Sequence, residues 1–99
     1  MMMNDKVLDH QGKEIEIEAF HPGEFLLEEI EARDILKKDV AKALGILPQH
    51  LSEIFAGKRN ISARIAVRLE KILDVSSSYW LGMQMEYDLF VARALEAQV

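Results

Sequence analysis

The spacing of hydrophobic positions along the chain changes period once. In KEIEIEAF, residues 13 to 20, Ile15, Ile17 and Ala19 alternate with Glu14, Glu16 and Glu18, which is the period of two of a half-buried strand. One short strand needs a partner edge: its own copy in a dimer, a sheet in another protein, or else the segment is simply an extended arm. Residues 1 to 11 carry no periodicity and are expected to be mobile.

From His21 onward the period is helical. HPGEFLLEEIEAR sets Pro22 at a first helical position, acids in the first turn and Phe25, Leu26 and Ile30 on one side. KKDVAKALG places Val40, Ala41 and Leu44 on one face and stops at Gly45, a residue that takes a left-handed conformation without steric cost. PQHLSEIFAG restarts at Pro48, buries Leu51, Ile54 and Phe55, and ends at Gly57. SARIAVRLEKIL offers Ser62 as N-cap and Ile65, Leu69, Ile72 and Leu73 as an apolar face. Ser76 caps a last, longer helix. The predicted architecture is all-α: five helices forming one domain over residues 21 to 99, preceded by an arm over residues 1 to 20 with strand alternation.

Ninety-nine residues with 49% apolar content suit one packed domain. With no cysteine, a disulfide framework, a thiolate zinc site and a cysteine nucleophile are excluded. No apolar run approaches the roughly 18 residues of a membrane span, and the N-terminus lacks a secretory apolar centre. A soluble, cytoplasmic protein is expected. The net charge of -5 hides a partition: residues 1 to 32 sum to -7, residues 33 to 71 to +5, and the remainder to -3. The middle third has the sign of a polyanion-binding face.

Within that third, two short helices joined by a turn that begins at Gly45 have the spacing of a helix-turn-helix. Spacing alone leaves two readings open, DNA binding and a plain helical hairpin. If the second helix enters a major groove, its readers are the residues away from the buried Leu51, Ile54 and Phe55: Gln49, His50, Ser52 and Glu53. Gln49 can pair with adenine, Glu53 can accept from cytosine N4, Ser52 can serve either role, and Pro48 offers only an apolar contact. Lys37 and Lys38 at the start of the first helix, Lys58, Arg59 and Asn60 after the second, and Arg64 beyond them are the candidate phosphate contacts. Any one of these cations could be an ordinary surface residue; the cluster is what points to phosphate.

Residues 37 to 56, with Val40, Ala41, Leu44, Gly45, Leu51 and Ile54 in register, resemble the helix-turn-helix of the lambda Cro and phage repressor family, and so imply a lambda-repressor-like domain. A narrower resemblance, to the HigA (VapI/HigA) antitoxins of type II toxin-antitoxin systems, rests on three motifs in order. These are H-P-G-E at His21 to Glu24, G-[KR]-[RN]-x-I-[ST] at Gly57 to Ser62, and W-L-x-x-Q-x-x-Y-D-L at Trp80 to Leu89. Members often carry a proline where this chain has Ser77, and the arm precedes the shared region, so the resemblance says nothing of its role. It implies a repressor of its own operon that also neutralises a small basic HigB-type toxin, a ribosome-dependent nuclease of mRNA. The acids Glu14, Glu16, Glu18, Glu24, Glu28, Glu29 and Glu31 would suit such a partner, as would edge pairing of residues 14 to 19 onto a toxin sheet.

The last helix is apolar over a broad stripe. Trp80, Met83, Met85, Tyr87, Leu89 and Phe90 form either the lid of the chain's own core or a homodimer or partner surface. A two-fold dimer would span half-sites about 34 Å apart. His10, His21 and His50 have no metal-ligand spacing, and no phosphate loop, nucleophile elbow or carboxylate pair suggests an enzyme, a cofactor or a small-molecule substrate. A solitary repressor of the same fold and a helical interaction protein that does not touch DNA are the alternatives.

Overall fold

The computed structural model describes residues 6–8, 14–16 and 19–98. It comprises β1 (Lys6–Leu8), β2 (Glu14–Glu16), α1 (Pro22–Ala32), α2 (Lys37–Leu44), α3 (Pro48–Phe55), α4 (Ala63–Leu73) and α5 (Ser77–Glu96). The two strands pair antiparallel, with Lys6 opposite Glu16, Val7 opposite Ile15 and Leu8 opposite Glu14. The partner edge for the alternating segment therefore comes from the chain itself. This corrects the expectation that residues 1 to 11 lack structure where it falls on Lys6–Leu8. The rest of that stretch, and Ile17 and Glu18 of the alternation, lie outside the described residues.

Local chemistry sets the helix ends. Ser62 and Ser76 accept from the backbone N–H of Ile65 and Tyr79 at 3.2 and 3.1 Å, capping α4 and α5. The His21 Nδ1 performs the same task for α1, accepting from Gly23 N–H at 2.9 Å. Gly45 ends α2 at φ 68°, and Ile46 then donates to the Ala41 carbonyl at 3.0 Å. The sequence placed the end of α3 at Gly57; the helix closes two residues earlier at Phe55, with Ala56 as cap and Gly57 supplying the left-handed turn at φ 76°.

The core takes residues from every helix. Leu26 and Ile30 of α1, Val40, Ala41 and Leu44 of α2, Leu51 and Ile54 of α3, Ile65, Ala66, Leu69 and Leu73 of α4 and Trp80 of α5 are buried together with Ile61. α1 rests on α3 and α5, α2 on α3 and α4, and α4 on α5. Trp80, one of the residues assigned above to a dimer or partner surface, is fully buried. It packs on Phe25 with ring centroids 5.3 Å apart, and its Nε1 donates to the Val75 carbonyl at 3.1 Å. A tryptophan with its one polar atom satisfied inside the domain has nothing left to present to a partner.

Two glycines test the packing in opposite directions. A Cβ on Gly23 would stand 1.8 Å from the Ile54 carbonyl oxygen, so α1 crosses α3 with backbone against backbone. A Cβ on Gly82, inside α5, would meet nothing within 4 Å. Gly23→Ala should destabilise the fold by about 3 kcal/mol or more through forced separation of the helices, whereas Gly82→Ala should stabilise it by about 0.5–1 kcal/mol through the reduced entropy of the unfolded chain. Urea denaturation followed by circular dichroism gives both values, and equal effects would refute the account of the α1/α3 crossing.

Candidate nucleic-acid interface

The helix-turn-helix is held from behind. Arg68 of α4 donates from Nη1 to the Leu44 carbonyl at the end of α2, and a Cβ on Gly45 would lie 2.6 Å from that nitrogen. Glycine at this position therefore does two things, taking the left-handed turn and leaving room for the guanidinium. Arg68 was invisible in the sequence reading because it lies 24 residues from its acceptor and resembles any cation on an amphipathic helix.

α2 and α3 differ from the other three helices at their first turns. Their N-cap residues are Leu36 and Leu47, with no side-chain cap. Both leucines are exposed, Leu47 to 74%. Helices lacking a polar cap keep free amide N–H groups at the N-terminus, and with the helix dipole these favour an anion. Pro48 removes one such donor from α3 without upsetting the helix, since a first-turn proline needs no partner.

The side chains singled out in the sequence fall as follows. Gln49 and Ser52 are exposed on α3, and His50 and Glu53 are half-exposed there, on the side away from the buried Leu51 and Ile54. Lys37 leans from the start of α2 over the Phe55 ring, its Nζ 5.8 Å from the centroid, which brings the beginning of α2 to the end of α3. Lys38 is exposed beside it; Lys58, Arg59 and Asn60 are exposed in the loop after α3, and Arg64 in the first turn of α4. Glu53 and Arg59, given separate roles above, form an ion pair in which Arg59 Nε donates to Glu53 Oε1. That hydrogen bond is the chief reason the Glu53 carboxyl titrates below the usual glutamate range, with lesser help from the Arg59 charge, Gln49 and His50. The pair ties the outward side of α3 to the loop that follows it.

The loop itself is tied down at several points. Lys58 and Arg59 donate their backbone N–H to the Glu53 carbonyl at 2.8 and 3.2 Å. At its far end Ile61 donates to Oε1 of Gln84, a buried glutamine on α5, at 2.7 Å, and Gln84 Nε2 donates in turn to Asp88 Oδ1 at 3.0 Å. The polar members of the Trp80 to Leu89 motif thus serve the loop that carries the cations. The motif is legible in the sequence but this use of it is not, because a glutamine in an apolar helix gives no sign of the distant amide it will meet.

Of the remaining surface candidates on α5, Met85 is 55% and Leu89 37% exposed. Met83, Tyr87 and Phe90 are half-buried, Met83 against the core and Tyr87 edge-on to His21 at 4.9 Å. Among the described residues no group of three or more histidine, aspartate and glutamate side chains could hold a metal ion, and no helix is long and apolar enough to cross a membrane.

Residues 26–80 match the family model described as helix-turn-helix. The chain is 38% identical over 78 residues to virulence-associated protein I of Dichelobacter nodosus, a match covering 78% of this chain and 72% of the relative. Among solved structures, an addiction module antidote protein of the HigA family from Coxiella burnetii superposes with a TM-score of 0.77 at 32% identity, covering 83% of this chain and 90% of that one. The Pseudomonas aeruginosa antitoxin HigA, solved with the higBA promoter, superposes with a TM-score of 0.74 at 34% identity, covering 81% and 88%. The shared region takes in the helix-turn-helix, its supporting α4 and the start of α5. This chain belongs to the helix-turn-helix family, in the company of virulence-associated protein I and the HigA antitoxins.

Proposed function

We propose that this protein is the antitoxin of a HigBA-like module, a homodimer that represses its own operon and neutralises a ribosome-dependent, mRNA-cleaving toxin of HigB type. The observation that carries the reading is the pair of uncapped first turns of α2 and α3, flanked by Lys37, Lys38, Lys58 and Arg59. They occur in the fold that a 34% identical antitoxin, solved with its promoter, also has. In this reading α3 enters the major groove and Gln49, His50, Ser52 and Glu53 face base edges. The amides of α2 and the cations around it, with Asn60 and Arg64, hold phosphates.

Glu53 then has a choice of partner. It is paired with Arg59; on DNA the pair can open, Arg59 turning to a phosphate and Glu53 to a cytosine amino group. An acidic remainder restrains unspecific adsorption and suits a basic toxin. The second copy in the dimer is placed on the exposed part of α5 around Met85 and Leu89, which the chain's own core leaves uncovered.

Reversing Lys58 and Arg59 to glutamate should weaken binding to the duplex directly upstream of the gene by at least about tenfold and lower the slope of log K against log salt by roughly one per lost phosphate contact. Fluorescence anisotropy at several salt concentrations measures both. Unchanged affinity would leave the helix-turn-helix as a scaffold. Gln49→Ala should cost about 1–3 kcal/mol on the native duplex and relax preference at a single base pair, seen by titrating a set of point-substituted duplexes. Met85→Glu combined with Leu89→Glu should give a folded monomer by analytical ultracentrifugation; a persistent dimer would move the interface elsewhere. For the toxin, co-purification with the product of an adjacent toxin-sized reading frame is the deciding result, and the lack of such a frame would favour a solitary repressor.

A further inference from the structure

His21 is buried, with 3% of its surface exposed, and the proposed function makes no use of it. Its Nδ1 accepts the Gly23 N–H that caps α1. A nitrogen that accepts is unprotonated, so the neutral ring carries its hydrogen on Nε2. That Nε2 is buried and makes no hydrogen bond of good geometry, although the Asn60 side chain lies near enough to favour the charged ring. The ring borders a groove of about 330 Å³ formed with Glu24, Phe55, Ala56, Gly57 and Tyr87.

A serine would cap α1 as well, as Ser62 and Ser76 do for α4 and α5. Only a ring reaches further. On one side the imidazole meets Tyr87 of α5 edge-on. On the other, a Cβ on Gly57 would lie 3.6 to 3.8 Å from the Cγ, Cβ and Cδ2 of His21, an ordinary contact distance, so the turn after α3 passes about one methyl group from the imidazole across the groove they share. Gly57 opens the loop that carries Lys58 and Arg59, and Gln84 holds the far end of that loop at Ile61.

We propose that His21 is a positioning residue for DNA binding, a neutral-ring latch that fixes the Gly57–Asn60 loop, and with it Lys58 and Arg59, at the end of the recognition helix. The proposal rests on the operator-binding reading above. It also gives the latch a release. Protonating Nδ1 sets a donor against the Gly23 N–H, at the point where α1 and α3 touch backbone to backbone. The groups facing the ring are Glu24 from α1, Tyr87 and Asp88 from α5, and Asn60 from the loop. Asn60, Asp88 and Glu24 favour the charged ring, but burial outweighs them and holds its pKa below the ordinary 6.5. The native ring therefore binds fewer protons than the unfolded one, and the stability it contributes is complete above pH 6.5 and declines as the pH falls from there toward the lowered native value.

Acidification ordinarily tightens a protein on a polyanion by adding positive charge. The latch acts in the opposite direction. The test compares the full-length protein with His21→Asn, which keeps a capping acceptor but neither the ring nor its titration. Anisotropy titrations on the upstream duplex and a shuffled one are run at fixed salt from about pH 7.5 downward through the protonation of the His21 ring, followed by its ring-proton chemical shifts. In parallel, amide exchange of Lys58 and Arg59 is measured in the DNA-free protein, as protection relative to Leu69 in the core.

Wild type should lose about tenfold in affinity across this range, and its Lys58 and Arg59 amides about fivefold in relative protection, the size of one lost hydrogen bond. His21→Asn should begin weaker and hold level or tighten as the pH falls. Wild-type affinity that holds or rises on acidification, a parallel decline in His21→Asn, or unchanged protection of the two amides overturns the latch. Equal binding to both duplexes at neutral pH overturns operator binding instead, and the exchange data then decide the latch by themselves, as they do if the variant does not fold.

Discussion

The crossing of α1 over α3 at Gly23 and Ile54 is the contact on which the arrangement depends. Helices usually meet through side chains, which set their axes about 8–10 Å apart. Here a glycine lets the first turn of α1 sit against the Ile54 carbonyl, leaving no space for a methyl group. That proximity carries Leu26 and Ile30 into the same core as Leu51 and Ile54. It also brings His21 and Gly57 to the two sides of one groove, so the residue that starts α1 borders the loop that follows α3.

The outward chemistry follows from what that core leaves over. α2 and α3 spend one face each on Val40, Ala41, Leu44, Leu51 and Ile54. What remains on the outside is mostly polar or charged, and the free amides of two uncapped helices add to it without any side chain. The support is spread over the other helices: Arg68 from α4 fixes the end of α2, Gln84 from α5 fixes Ile61, and Arg59 bonds to Glu53 within the site itself. For the proposed docking on a duplex such anchoring is favourable, because ordering a surface in advance reduces the entropy lost on binding.

The two broadest apolar features of the sequence had different fates. The alternation at residues 14 to 16 met its partner strand within the chain, at Lys6–Leu8, where no periodicity marked a strand. Three residues per strand are too few for a pattern to register. In α5 the spacing of Trp80, Met83, Tyr87 and Phe90 described a stripe correctly but could not say what covers it. Trp80 went into the chain's own core, Tyr87 went against His21, and Met85 and Leu89 remained in solvent.

Helix number, most helix ends and most of the core were legible because they depend on neighbours three or four residues away. The same holds for Gly45 as the turn, Ser62 and Ser76 as caps, and the concentration of cations between residues 33 and 71. The three ordered motifs carried the family without any knowledge of contacts. The tertiary structure alone decided why those motifs hold their residues. His21 reaches a glycine 36 positions on, Gln84 an amide 23 positions back, and Arg68 a carbonyl 24 positions back. Hydrogen bonds and close backbone approaches over such separations leave no period in a sequence, since their geometry exists only after the helices have packed.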